Sequence, residues 1–521
     1  MIPVVDVFAG PGGLSEGLSA VVADGRSPGF DVVLAIEKDE YACETLRLRS
    51  FLRQFRTKRV PEDYYRAVRG ELSLEKLYDR HGAHAGVANA RIWKAELGSP
   101  KTSLDDVREH IDGALGKSEA WVLIGGPPCQ AYSIVGRARR HGHVYRPTKD
   151  LRQRLYIEYL QILADHRPVA FVMENVKGLL SARFRRQRVF HRILEDLQVP
   201  AVALDREGRP VRGGNNPTYR VYSLVERLQF TDGDARHSIV DAERFGIPQT
   251  RHRVILLGLR DDLGPVTPRT LVAREAVASA SVLDGLPAIR SGFSRREDSG
   301  AAWVQYLRSQ VGRRWANAGI RKVDSEKLCR RIRGVLRQIE SPPHGRGAEF
   351  IAAEAPTRYA VDWFYDPRLH GVCNHTSRIH MDKDLCRYLY AACYAQEHGV
   401  SPRLQKFPTD LLPDHASVAK ALEEGANFSD RFRVQVWDRP ATTITSHITK
   451  DGHYYIHPDP RQCRSLTVRE AARLQTFPDN YILAGSRTSQ YVQVGNAVPP
   501  LLARQIGEIV LEALRQAGVT G

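Results

Sequence analysis

Short apolar runs alternate with longer segments of helical period through the first half of the chain. Val4-Val5-Asp6-Val7-Phe8, Val32-Val33-Leu34-Ala35-Ile36, Trp121-Val122-Leu123-Ile124, Ala170-Phe171-Val172-Met173 and Val254-Ile255-Leu256-Leu257-Gly258 are almost continuously hydrophobic. Runs of that length suit strands buried on both faces, and the stretch 151–165 between two of them has helical spacing. Strands separated by helices predict an α/β fold, a doubly wound, mostly parallel, Rossmann-like sheet covered on both sides. Beyond about residue 264 this alternation stops. A helix is expected at 381–399, where Leu385, Tyr388, Leu389, Ala392 and Cys393 form an apolar stripe that reads as core. A last helix is expected over 499–516, started by a proline pair and carrying Leu502, Ile506, Ile509, Val510 and Leu514 at helical spacing. It should pack back on the sheet.

The strand ends carry the candidate chemistry. The first strand runs into Ala9-Gly10-Pro11-Gly12-Gly13-Leu14 and then a helix, the strand, glycine turn and helix of a nucleotide-binding opening, although many such turns bind nothing. Amides at the helix start offer donors to a carboxylate or phosphate. The second strand ends in Glu37, about where a doubly wound sheet holds ribose hydroxyls. The third leads into Gly125-Gly126-Pro127-Pro128-Cys129-Gln130, where two prolines fix the backbone and present a thiol at the strand's carboxyl end. The fourth ends in Glu174-Asn175-Val176, whose carboxyl could equally cap the next segment. Before the fifth lies Gln249-Thr250-Arg251-His252-Arg253; period-two spacing puts Arg251 and Arg253 on one face, where guanidinium groups can clamp an anion or simply face solvent.

These segments, in this order, resemble the DNA (cytosine-5) methyltransferase family. Two later stretches share the resemblance, Arg464-Ser465-Leu466-Thr467-Val468-Arg469-Glu470 continuing to Pro478-Asp479, and Gln493-Val494-Gly495-Asn496-Ala497-Val498-Pro499-Pro500. The family's fold adds a second, smaller target recognition domain. The resemblance therefore implies a catalytic domain over 1–262 with a basic insertion at about 47–93, recognition over 263–460, and a return to the catalytic domain over 461–521. It implies S-adenosyl-L-methionine as cofactor, held by Asp6, Phe8, Ala9, Gly10, Pro11, Gly12, Gly13, Leu14, Glu37, Lys38, Glu96, Leu97, Pro128, Asn496 and Val498. Glu96 stands where the family more often has aspartate.

Chemistry accounts for the implied catalytic set. Carbon 5 of cytosine is a poor nucleophile, and a thiolate adding to carbon 6, the role of Cys129, makes it reactive toward a sulfonium methyl. Glu174 would act as the acid at N3, with the base held by Arg253 and the pocket supported by Arg251. Because the target atom lies inside the stack, the nucleotide must be everted, which calls for a clamp. The cationic stretch after the nucleophile looks like that catalytic loop. Gln130, Ser133, Arg137, Arg139 and Arg140 are its expected DNA contacts, with Asn374 and Arg378 from the recognition domain. His375, Thr442, Thr443, Thr445 and Ser446 could reach DNA or cap turns.

Composition agrees with a polyanionic partner. Among 521 residues, 76 Lys and Arg against 60 Asp and Glu give a net charge of +16. The charge is clustered: 290–346 holds 14 basic and five acidic residues, with Trp303, Tyr306 and Trp315 interleaved. No apolar run reaches membrane-spanning length, and the start enters a core strand with no room for a signal peptide. Seven scattered cysteines fit a reducing cytosol, and Cys373, His375, His380 and Cys386 match no common zinc spacing, so no metal is expected. The expectation is a monomeric, cytoplasmic, nucleoid-associated enzyme on double-stranded DNA, without a membrane, in host protection beside a restriction endonuclease or phage-defence proteins. Two alternatives remain. A tRNA-methylating branch usually carries Cys-Phe-Thr after Glu-Asn-Val, where this chain has Lys177-Gly178-Leu179-Leu180-Ser181. A non-catalytic DNA-binding module would be expected to lose the nucleophile or acid.

Overall fold

The first apolar run forms β1 (Ile2–Val7), and Gly12, at φ 85°, turns the chain directly into α1 (Gly13–Ser19). Residues with a side chain rarely adopt that backbone conformation, so the abrupt entry requires glycine. This computed structural model describes residues 1–521 except 24, 26, 56–58, 129–150, 185–186, 214–215, 232–234, 318–324, 415–417, 419–421, 423–428 and 520–521. β2 (Phe30–Glu37), β3 (Ile92–Lys94), β4 (Val122–Gly125) and β5 (Ala170–Val176) extend the sheet with parallel pairing throughout. β6 (Tyr219–Tyr222), β7 (Ile239–Asp241) and β8 (His252–Arg260) complete it, with β8 antiparallel to β5, β6 and β7. The order is β3-β2-β1-β4-β5-β8-β6, with β7 as a further partner of β8. Strand order reverses between β1 and β4, and ligands of open α/β sheets bind at that switch point, outside the carboxyl ends.

Helices cover both faces. On one, Val4 and Ile2 of β1 and Leu14 and Leu18 of α1 share a core with the C-terminal helix Pro500–Gln516 through Leu502, Ile506, Ile509 and Leu514. On the other, Val5, Val7 and Leu34 meet α3 (Leu104–Leu115), α4 (Leu151–His166) and α5 (Val189–Gln198), which follow α2 (Glu40–Arg53) in the chain. The doubly wound, mostly parallel sheet expected from the apolar runs is present, and the antiparallel β8 is its one departure.

The chain packs as two compact units, Met1–Val60 with Tyr78–Glu275 and Ala497–Gly521, and Pro61–Leu77 with Ala276–Asn496. The region 47–93 is thus divided, and 461–521 is divided at Asn496. Two tyrosines show why Pro61–Leu77 belongs with the second unit: Tyr64 and Tyr65 are buried, and Tyr65 donates to Asp366 Oδ2 at 2.9 Å. The second unit contains α6 (Gly300–Arg308), α7 (Ser325–Gln338), α8 (Asp382–His398), α9 (Val468–Leu474) and α10 (Arg487–Asn496). Its core takes Leu385, Tyr388, Leu389 and Cys393 of α8 together with Trp303 and Trp315. Three buried arginines knot it together. Arg464 grips Glu470 at 2.6 and 2.7 Å, Arg473 grips Asp479 at 2.8 and 2.7 Å, and Arg469 donates to the carbonyls of Cys373, Pro478 and Tyr481. Such pairs hold a fold when every donor is satisfied, because an unpaired buried charge is costly.

Candidate active site

Around the glycine turn, the strand ends hold one another. Glu37 Oε2 accepts the Gly10 amide at 2.8 Å, while Oε1 accepts the amides of Lys38 and Asp39 at 2.8 and 2.9 Å. The carboxylate expected to meet ribose therefore also ties the end of β2 to the turn after β1. Phe8 sits at φ 56°, a left-handed conformation uncommon for a bulky residue and a form of strain that clusters at functional sites. A Cβ on Gly10 would meet no atom within 4 Å, so open space lies over the turn, whereas one on Gly13 would lie 2.1 Å from the Val498 carbonyl oxygen. Lys38 and Glu96 pair at 3.0 Å across the ends of β2 and β3, both well exposed, and Leu97 beside them is buried.

Beneath the turn lies a buried polar cluster. Ser15 donates to Asp6 Oδ2 at 2.5 Å, and burial pushes the Asp6 carboxyl up to about 7 against the opposing effect of that bond. Glu16, one residue on, is buried between Arg49 and Arg53 of α2, at 2.8 and 2.7 Å. Burial alone would raise its pKa; the two guanidinium groups overcome it and hold the carboxyl at about 2. Sequence reading missed Ser15 and Glu16, whose only signal was a position one helical turn past the glycines.

The second half of the site stands at the ends of β4 and β5. Glu174 Oε1 pairs with Arg253 Nε at 2.9 Å, both side chains mostly buried. The antiparallel ladder sets Ile255 opposite Glu174, which makes Arg253 its diagonal neighbour on the same face. A Cβ on Gly126 would lie 2.9 Å from Glu174 Oε2, so the turn after β4 passes directly over the acid. Asn175, also missed, points to the other face, donating to the Pro127 carbonyl at 3.3 Å while its own oxygen accepts the Val176 amide. Arg251 is almost wholly buried, and His252 between the arginines meets Glu243 at 2.7 Å. Pro128 is half-buried and ends this described segment; Cys129, Gln130, Ser133, Arg137, Arg139 and Arg140 lie outside the described residues.

Other expected contacts are turned inward in the second unit. Asn374 is buried at φ 56°, donating to Glu349 at 3.0 Å and accepting the Leu483 amide at 3.1 Å. Arg378 stacks on Tyr491, its Cζ 4.3 Å from the ring centroid, and donates to the carbonyls of Ile448, Thr449 and Lys450. His375 bridges Thr467 and the Pro287 carbonyl, and burial lowers its pKa to about 4. Thr442 is bonded to Gln435 and Thr445 to Tyr455. Asn496 is the exposed last residue of α10. Among the described residues no group of three or more His, Cys, Asp or Glu could hold a metal ion.

A family model of C-5 cytosine-specific DNA methylases matches residues 89–199 and 370–512, the first stretch containing the proline turn and Glu174. The type II methyltransferase M.Bpa9945I of Bacillus paralicheniformis is 31% identical over 98% of this chain and 99% of its own length. This chain belongs to the C-5 cytosine-specific DNA methylases. Other relatives of the methylase are the type II methyltransferase M.AgeI of Thalassovita gelatinovora, 25% identical over 98% of this chain and 99% of its own, and the DNA (cytosine-5-)-methyltransferase M.ApeKI of Aeropyrum pernix, 30% identical over 76% and 82%. Within this DNA methylase, the sheet unites the glycine turn, the proline turn, Glu174 and Arg253 at one edge, although they are far apart in sequence.

Proposed function

We propose that this methylase transfers a methyl group from S-adenosyl-L-methionine to carbon 5 of a cytosine everted from a specific duplex DNA sequence, through a transient bond between Cys129 and carbon 6. The observation that carries this reading is the Glu174–Arg253 pair packed under Gly126, because it sets an acid and a cation directly beneath the turn that leads to Cys129. The cysteines support it by elimination. The other six are all buried, and burial raises the thiols of Cys43 and Cys373 to about 12 and that of Cys386 to about 11, values that leave almost no thiolate at neutral pH.

The residues at the switch point fit the cofactor. Gly10 leaves open space over the turn, Gly13 lets the Val498 carbonyl pack directly against it, Glu37 keeps lone pairs for ribose hydroxyls, and Lys38, Glu96 and Leu97 border the same edge. When bound, S-adenosyl-L-methionine supplies an electrophilic methyl group. Cys129 adds its sulfur to carbon 6, and Glu174 shares a proton with N3 as negative charge spreads through the ring. Arg253 holds both the carboxyl and the base in place. After transfer, water removes the carbon 5 proton and the sulfur departs.

The relatives named as type II methyltransferases favour a role in host DNA protection, beside a cognate restriction endonuclease or within a phage-defence system, and hence a cytoplasmic site of action. Covalent capture on DNA containing 5-fluorocytosine tests the chemistry. The wild type should form an adduct and Cys129→Ala should bind DNA without one; an adduct with the variant would reassign the nucleophile. Sequencing 5-methylcytosine in DNA from expressing cells gives the recognition sequence, and label from radioactive cofactor confined to RNA would overturn the choice of substrate.

A further inference from the structure

The basic cluster at 290–346 resolves, in the structure, into two sets of residues with different work. Its tryptophans are core: Trp303 is fully buried, and Trp315 is 4% exposed. The cations concentrate on α7, which packs Leu328, Cys329, Ile332 and Leu336 inward. At 100° per residue these four occupy one arc of the helix, while Lys327, Arg330, Arg331, Arg333 and Arg337 fill the opposite arc. Lys327, Arg330, Arg331 and Arg337 are exposed. Two of the cations are committed, Arg330 to Glu326 at 3.2 Å and Arg331 to Glu397 at 3.0 Å. Lys327, Arg333 and Arg337 have no ion-pair partner among the described residues, and the exposed Arg313 and Arg314 lie shortly before the same helix.

We propose that the outer face of α7 is a sequence-independent anchor for the DNA backbone, gripping duplex that flanks the methylated sequence. This rests on the reading of the chain as a DNA methylase. Charge complementarity chooses the occupant: five cations and one carboxylate on a single helix make a surface for a polyanion. The buried tryptophans choose the mode. With no aromatic residue in α7 itself, bases of a single strand have nothing on the helix to stack on, and what remains is phosphate contact with a duplex. From Lys327 to Arg337 the row spans about 15 Å at 1.5 Å per residue, enough to bridge the phosphate rows that border a groove about 12 Å wide. Phosphate contacts of this kind position a protein without reading sequence.

The test uses the full-length methylase on duplexes carrying the sequence found by 5-methylcytosine sequencing. The triple variant K327Q/R333Q/R337Q is compared with wild type and with K101Q/K117Q, which removes exposed cations from the first unit. Removing one cation from a phosphate lowers the slope of log affinity against log salt by about 0.9, so the triple variant should show a slope shallower by roughly 2 to 3. Its KM for long duplexes should rise at least tenfold while kcat and the methylated sequence stay unchanged, and the difference should vanish on a duplex trimmed to the recognition sequence. An unchanged slope, or an equal change per charge in K101Q/K117Q, would overturn the anchor while leaving the activity standing. A wild type that methylates RNA and no DNA would instead remove the reading on which the anchor rests.

Discussion

Two adjacent carboxyl groups under the glycine turn, on β1 and α1, are poised in opposite directions, and their pH dependences should show it. Asp6 has its pKa raised by burial to about 7, so the folded state binds a proton more tightly than the unfolded chain; its contribution is complete below about pH 4 and is lost as pH rises through 7. Glu16 is held at about 2 by Arg49 and Arg53, so its contribution is present above its ordinary range and is lost as pH falls from about 4.5 toward 2. In thermal denaturation, Asp6→Asn should gain on wild type as pH is raised from 5 to 8. Glu16→Gln should be destabilised by roughly 2–3 kcal/mol at pH 7, with the deficit shrinking as pH falls toward 3. Parallel pH profiles for the two variants would refute the assignment. At the reacting edge, Glu174→Gln keeps the side chain's shape and removes its acidity, so kcat should fall by about 10² to 10⁴ while DNA affinity changes little, as read by steady-state kinetics and filter binding.

Elements meet closely in this enzyme, and glycine marks where. A Cβ on Gly17 would lie 2.4 Å from Ala503 Cβ and 2.5 Å from the Arg504 amide, so α1 and the C-terminal helix touch backbone to backbone. Gly13→Ala would press on the Val498 carbonyl at 2.1 Å, an atom of the main chain that cannot swing aside. Calorimetry should show S-adenosyl-L-methionine affinity falling at least tenfold in that variant. Ile506→Ala, which opens a cavity between the same helices, should instead lower stability by about 2–5 kcal/mol, measured by denaturant unfolding, with affinity retained at low temperature.

At the scale of the whole molecule, β1 and the C-terminal helix build one core although they stand at opposite ends of the sequence. A chain ending at Pro499 keeps the second unit whole but leaves Leu14, Leu18 and Val4 exposed. It should fail to bind S-adenosyl-L-methionine, and normal affinity by calorimetry would show that the helix is dispensable.

Apolar runs of four or five residues fixed the strands β1, β2, β4 and β5, and helical spacing fixed α4, α8 and the C-terminal helix, because burial on one face or two imposes a period that composition cannot hide. The glycine and proline turns were legible for a related reason, because backbone-restricting residues after a strand leave the chain few ways to continue, whereas Glu174 and Arg253 stood out only as charged residues at strand ends. Partnership was not legible. Whether β8 runs parallel or antiparallel cannot be told from Val254-Ile255-Leu256-Leu257-Gly258, yet only the antiparallel ladder brings Arg253, at its start, to Glu174, at the far end of β5. Nor does a sequence say which polar residues face inward. Asn374 and Arg378 looked like DNA contacts, and packing turned both toward backbone groups that needed partners; the tryptophans of 290–346 stood interleaved with basic residues, and burial claimed them for the core. Local periodicity is a property of the chain alone, whereas the pairing of buried polar groups is decided by what the rest of the fold brings within hydrogen-bond reach.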